Sequence, residues 1–235
     1  IIPGSSIGRV YKEGLEAYRD LERMLNEYIQ ASLVVRGQMS RRTALNLTSF
    51  PRDEFVKHDG QWYFASLPPY AAGMTMEVEE GEEELKHGDK MLQNDRLKLT
   101  FNSYGEIESC IDADGNEVSG KYLNRLVLYK DKFTVPFNAW DIDPDYYKKT
   151  HKRLKPTSFR TYQDCVQVVR ENTYKYSKFT IVQKIVLTQY SDVVQFETDV
   201  DWHEKHHMLR AEFMPAAYDE QVKCDIQFGY IERAT

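Results

Sequence analysis

The chain has no run of apolar residues near the roughly 18 to 20 needed to cross a bilayer, and no charged segment followed by an apolar stretch at its start. Neither a spanning helix nor a secretory leader is expected. Cysteine is scarce: Cys110, Cys165 and Cys224 are far apart, odd in number and without a C-x-x-C pair. That excludes a disulfide framework and makes reduced, packed thiols in a cytosolic setting the expectation. An excess of basic charge is also missing. A net charge of -6 leaves too little concentrated Lys and Arg to neutralise phosphates, so nucleic acid is excluded as a partner. There is no Gly-rich phosphate loop, nucleophile elbow or H-E-x-x-H helix. Glycoside hydrolysis by two carboxylates survives these exclusions, because its acids are brought together only in three dimensions.

What is present is 235 residues with 13% aromatics and 29% charged residues of mixed sign, a composition of folded globular domains. The one convincing helix occupies residues 1–31, entered through Pro3, Gly4, Ser5 and Ser6. Ile7, Tyr11, Gly14, Tyr18, Leu21, Leu25 and Tyr28 recur at alternating steps of four and three, a narrow seam suited to helix-on-helix packing. No later segment offers a matching helix. Either the seam lies on a sheet, or its partner helices lie outside this chain.

From about Thr43 the period becomes two. Phe55-Val56 and Trp62-Tyr63-Phe64 flank Asp59-Gly60, a dipeptide suited to a tight hairpin. Leu97, Leu99 and Phe101 alternate with polar residues, Tyr104-Gly105 turns the chain toward Ile107 and Ile111, and Asp114-Gly115 turns it again. Longer strands are expected at 179–187, 193–200 and 209–213, and through Val222, Cys224, Ile226 and Phe228, each with one apolar face. Without crossover helices these strands must be antiparallel. The expected fold is therefore mainly β: one N-terminal helix over residues 1–42 with its linker, then a large antiparallel β-sandwich over 43–235. The acidic run Glu77 to Glu84 is expected to be an exposed turn. Asn46-Leu47-Thr48 fits a glycosylation triplet, a pattern common by chance.

Two clusters carry chemistry-bearing residues. His203-Glu204-Lys205-His206-His207 is metal-like in composition, but on a strand His203 and His207 share one face while Glu204 and His206 share the other. At most two ligands per face fall short of the three or four a functional zinc needs. Asp141-Ile142-Asp143-Pro144-Asp145 resembles the opening of a calcium loop but lacks the required glycine, with Tyr146 and Tyr147 in its place. Trp140, Phe137 and Pro136 beside these acids suit either an apolar sugar-binding wall or a buried loop anchor.

Several stretches together resemble glycoside hydrolase family 38, the retaining, zinc-dependent α-mannosidases. They are Ile1-Ile2-Pro3-Gly4-Ser5-Ser6-Ile7 with Val10-Tyr11, Ala44 to Arg52, Leu92-Gln93-Asn94 with Tyr104 to Ser109, Asn124 to Asp131 leading to Asn138-Ala139-Trp140-Asp141-Ile142, and Asp201 to Arg210. They keep the family's order over almost the whole chain. Departures are Asn138 for the usual Asp, Phe50 for Trp, and Met214 between Phe213 and Pro215. The resemblance implies that residues 1–42 close a three-helix middle domain and that residues 43–235 begin a galactose mutarotase-like super-sandwich. It further implies truncation at both ends, with the nucleophile and zinc ligands in a missing catalytic barrel. This chain would then hold no catalytic residue and no metal. Zinc would belong to the parent enzyme and mannose-containing oligosaccharides would be its substrates, with Trp140, Asp141 and Asp143 bordering the cleft. The alternatives are a stand-alone carbohydrate-binding module or a mutarotase-like sandwich using His203 and Glu204.

Overall fold

A computed structural model describes residues 7–35, 43–79, 85–131, 142–149 and 151–234. The architecture is mainly β, with one long helix and antiparallel strand pairing throughout. Two compact units form.

The first unit holds α1 (Gly8–Val35). Ion pairs such as Arg9 with Glu13 and Arg23 with Glu27 support its polar face at i,i+4 spacing. Its apolar seam is uncovered: Ile7, Tyr11, Tyr18, Leu21, Leu25 and Tyr28 are all more than half exposed. The unit also holds β1 (Thr43–Asn46), β2 (Arg52–His58), β3 (Gln61–Leu67), β4 (Ala71–Met74) and β5 (Met76–Glu77). β2 and β3 form the expected hairpin, with Asp59 and Gly60 both at positive φ, 49° and 82°. The amide of Asn46 is buried and donates to the carbonyls of Phe50 and Pro68 at 2.8 and 2.9 Å, so the sequon asparagine serves a turn. Of the acidic run, Glu77 and Glu79 are exposed, and residues 80–84 lie outside the described residues.

The second unit is the sandwich. One sheet runs through β6 (Lys86–Gly88), β7 (Met91–Gln93), β8 (Lys98–Phe101), β9 (Ile107–Ile111), β10 (Ser119–Lys130) and β11 (His151–Arg153). The other stacks β12 (Ser158–Asp164), β13 (Gln167–Tyr176), β14 (Phe179–Thr188) and β15 (Val194–Trp202) in chain order. After β15 the chain returns to the first sheet, where β16 (His207–Pro215) lies along β10. β17 (Gln221–Ile226) and β18 (Gly229–Ala234) pair only with each other among the described strands.

The inward parity fills the core from both sheets. Leu92, Leu99, Phe101, Ile107 and Cys110 pack against Val168, Ile185 and Leu187, and a second cluster joins Leu126, Leu128 and Leu154 to Tyr174, Phe179 and Ile181. Two details depart from simple alternation. Phe101 pairs with Ile107 while Thr100 pairs with Ser109, so a bulge at Glu108 shifts the parity and buries Cys110 in place of Ile111. Phe228 leaves the strand predicted for it and turns the β17–β18 hairpin at φ 62°, fully exposed. Among the described residues no second layer buries that hairpin, so Val222 and Ile226 remain exposed despite their alternation.

β10 carries the strongest irregularities. From Tyr122 to Arg125 it spends three residues against two on β16, and nearer its start Gly120 lies hard against β16. A methyl on Gly120 would stand 2.7 Å from the Pro215 carbonyl oxygen and 3.1 Å from that of Met214, both backbone atoms that cannot swing aside. Gly120→Ala is therefore expected to destabilise the sandwich by about 1–3 kcal/mol, read from the urea midpoint at unchanged slope.

Candidate functional site

Of the three residues expected beside the substrate, Trp140 and Asp141 lie outside the described residues, and Asp143 is buried at the foot of a short 3-10 turn over Tyr146–Lys148. Its backbone N–H donates to Asp131 Oδ1 at 3.0 Å, its Oδ1 accepts the Asp145 N–H at 2.9 Å, and its other oxygen pairs with Lys149 Nζ. The Asp143 carboxylate thus braces the loop internally, while its backbone N–H ties the loop to Asp131 at the end of β10. It holds Tyr146 over the outer face of β11–β10–β16, where the ring meets Tyr129 edge-on at 5.2 Å and its hydroxyl accepts a hydrogen bond from Arg210.

That outer face is assembled by cross-strand pairing: Tyr129 stands opposite His151 and Met208, Val127 opposite Arg153 and Arg210, and Arg125 opposite Glu212. Tyr129 Oη donates to Glu212 Oε1 at 2.6 Å, and burial together with that carboxylate pushes the phenol up to about 12. Beside it lies the strongest electrostatic feature of the unit. Glu106 is 2% exposed and accepts hydrogen bonds from both Arg125 (2.9 and 3.3 Å) and Arg153, while Asn102 Nδ2 adds a bond of 2.9 Å. Burial works to raise this carboxyl, but the Arg153, Arg125 and Asn102 hydrogen bonds outweigh it and hold it below the ordinary 4.5. Tyr104 and Tyr122 place their rings 3.7 and 3.3 Å from the Arg153 and Arg125 guanidinium carbons.

The His203–His207 segment does not run as the continuous strand assumed from its sequence. β15 ends at Trp202, His206 takes φ 54°, and His207 opens β16, so the segment is a crossing between sheets in which only Glu204 and His207 approach each other, at 3.9 Å. His203 Nε2 meets Asp201 at 2.9 Å, Glu204 accepts the Lys178 N–H at 2.8 Å, and His207 Nδ1 contacts the Lys205 carbonyl at 2.8 Å. Among the described residues no three His, Cys, Asp or Glu side chains stand together as a metal site would require. The residues of this segment therefore do not fit a zinc ion.

Residues 92–235 match the glycosyl hydrolases family 38 C-terminal domain. The chain belongs to family 38. Alpha-mannosidase G of Dictyostelium discoideum and alpha-mannosidase 2C1 of Homo sapiens are each 28% identical over 157 residues, 63% of this chain but only 14% and 15% of theirs. The chain thus spans about a seventh of the length of these relatives. Placed on the fold, the family stretches mark structural joints: Asn124 to Asp131 is the second half of β10, and Asp201 to Arg210 is the sheet-to-sheet crossing with the start of β16. Sequence reasoning missed Glu106 as a charge hub, since its arginines lie 19 and 47 residues away and nothing local marks them. Arg170 left a faint signal, a lone cation among Val168, Asn172 and Tyr174 on the inward parity of β13.

Proposed function

We propose that this chain is the non-catalytic part of an α-mannosidase that hydrolyses terminal α-mannosyl linkages by a retaining, zinc-assisted route. In this reading the nucleophile and the metal are held by a barrel outside the chain. Residues 1–42 close a three-helix middle domain, residues from 43 onward form the supporting β-domain, and the loop with Trp140, Asp141 and Asp143 borders the cleft for mannose-containing oligosaccharides. A cytosolic location fits the free thiols of Cys110, Cys165 and Cys224 and the absence, among the described residues, of a helix long and apolar enough to cross a membrane.

The observation that carries the reading is the uncovered seam of α1. A 28-residue helix with this many exposed apolar side chains cannot be stabilised by propensity alone and calls for tertiary cover. Replacing both Leu21 and Leu25 by Ser is expected to leave the melting of the separate chain within about 0.5 kcal/mol, as for exposed sites. In the full-length enzyme the same pair is expected to cost about 2–5 kcal/mol, as for buried leucines. Assayed with zinc, the separate chain is expected to leave an aryl α-mannoside intact while the full-length enzyme cleaves it. Turnover by the chain, or equal effects of the serine pair in both settings, would sink the proposal.

A further inference from the structure

A cleft of ≈ 760 Å³ opens in the sandwich unit beside the β6–β7 turn, the β8–β9 turn and the start of β12. That is within the range of small-molecule sites. Its inner wall includes Arg170, 2% exposed and the only arginine buried among the described residues. The guanidinium lies between two rings, its carbon 4.7 Å from the Phe101 centroid and 4.0 Å from that of Phe159. Nε donates to Asn172 Oδ1 at 3.0 Å and one terminal nitrogen donates to the Asp89 carbonyl oxygen.

What Arg170 lacks is a carboxylate in ion-pairing contact, the Asp89 charge acting on it only from farther off. Arg125 and Arg153 share Glu106 and Arg160 has Glu171, whereas no described acid comes within ion-pairing distance of Arg170. Burying an ionised group without a paired counter-charge is costly, and burial pushes this guanidinium's pKa down by more than the nearby Tyr174 and Asp89 charges raise it. Two of its five N–H groups are engaged as above, and an arginine fork suits an oxyanion. At the mouth stand the exposed ammonium groups of Lys90 and Lys155, against the exposed carboxylates of Asp89 and Glu108. Phe159, 44% exposed, offers an aromatic edge, and the Ser103 and Ser158 side chains lie in the same wall.

We propose that this cleft binds an acidic monosaccharide unit, its oxyanion, a carboxylate or a phosphate ester, on Arg170 with Lys90 and Lys155 at the rim. The sugar ring lies against Phe159 with hydroxyls toward Ser103 and Ser158. The site is independent of mannoside hydrolysis and needs no residue outside the chain.

Calorimetric titration of the whole chain at low ionic strength with glucuronate, glucose 6-phosphate, glucose and inorganic phosphate tests it. At least one acidic sugar is expected to bind, at least tenfold more tightly than glucose and than inorganic phosphate; which one binds distinguishes a carboxylate from a phosphate ester. The double substitution Lys90→Ala and Lys155→Ala, at exposed positions that leave folding intact, is expected to weaken that binding at least tenfold. Phe159→Ala is expected to erase the advantage of whichever acidic sugar binds over inorganic phosphate. The proposal falls if neither acidic sugar binds at millimolar concentration, if glucose or inorganic phosphate binds as tightly, or if the lysine pair can be removed without effect. Because binding and not turnover is read, these outcomes are separate from those of the mannosidase proposal.

Discussion

Glu106→Ala is expected to destabilise the sandwich by about 3–5 kcal/mol, because it strips one carboxylate from two arginines that are themselves largely withdrawn from water. The side chains of Arg125 and Arg153 are 21% and 34% exposed, and both converge on the one carboxylate. Chemical denaturation is the measurement, and Glu106→Gln separates charge from shape: it keeps the size of the side chain and leaves the arginines without their anion. The same carboxylate sets a pH dependence. Its pKa is lowered on folding, so its contribution is fully present above the ordinary 4.5 and is lost as pH falls from there through the lower folded value. Wild-type stability should therefore drop across that acid window by more than that of Glu106→Gln. Parallel acid profiles for the two proteins would refute the assignment.

The second large effect is expected at Asn124. It is 2% exposed and sits at φ 59° in the irregular stretch of β10, a backbone state that asparagine tolerates far better than alanine. Its amide exchanges two hydrogen bonds with Gln183 of the opposite sheet, at 2.8 and 3.2 Å, and Gln183 also donates to Thr198 Oγ1 at 3.1 Å. This polar pair belongs to neither of the two apolar core clusters. Asn124→Ala removes both the amide and the backbone preference while leaving Gln183 buried and short of partners, for an expected loss of about 2–4 kcal/mol. Asn124→Gly keeps the left-handed backbone and loses only the amide. It should recover about 1 kcal/mol of that loss. A double-mutant cycle with Gln183→Ala should show coupling of at least about 1 kcal/mol, and an additive cycle would place the stabilisation elsewhere.

The α-helix, the Asp59-Gly60 hairpin and the antiparallel sandwich were legible in the sequence because each rests on local rules. A seam at steps of four and three, a turn dipeptide able to take positive φ, and period-two spacing of Phe179, Ile181, Ile185 and Leu187 all act over a few residues. The same rules misplaced Phe228, since alternation continues through a turn whenever the turn happens to use an apolar residue. They also put Ile111 where Cys110 is buried, because a single bulge reverses parity and leaves no mark in composition. The candidate site was less legible. The sequence marks Asp143 only through the family resemblance and an acidic stretch, whereas its partners Asp131, Asp145 and Lys149 are a matter of how the loop folds back on itself and on the end of β10.

Without disulfides, the sandwich unit is held by its apolar clusters and by buried polar contacts between distant residues. By itself the sequence determined the class of fold, the apolar seam of α1 and, through its ordered motifs, the family. Only the tertiary structure decided which polar groups are buried and with whom: Glu106 with two arginines, Asn124 with Gln183, and Arg170 with no ion-paired carboxylate. The physical reason is that alternation tells which face a residue occupies but not what stands across from it. Charge pairing depends on that second fact, which strand register and sheet stacking settle together.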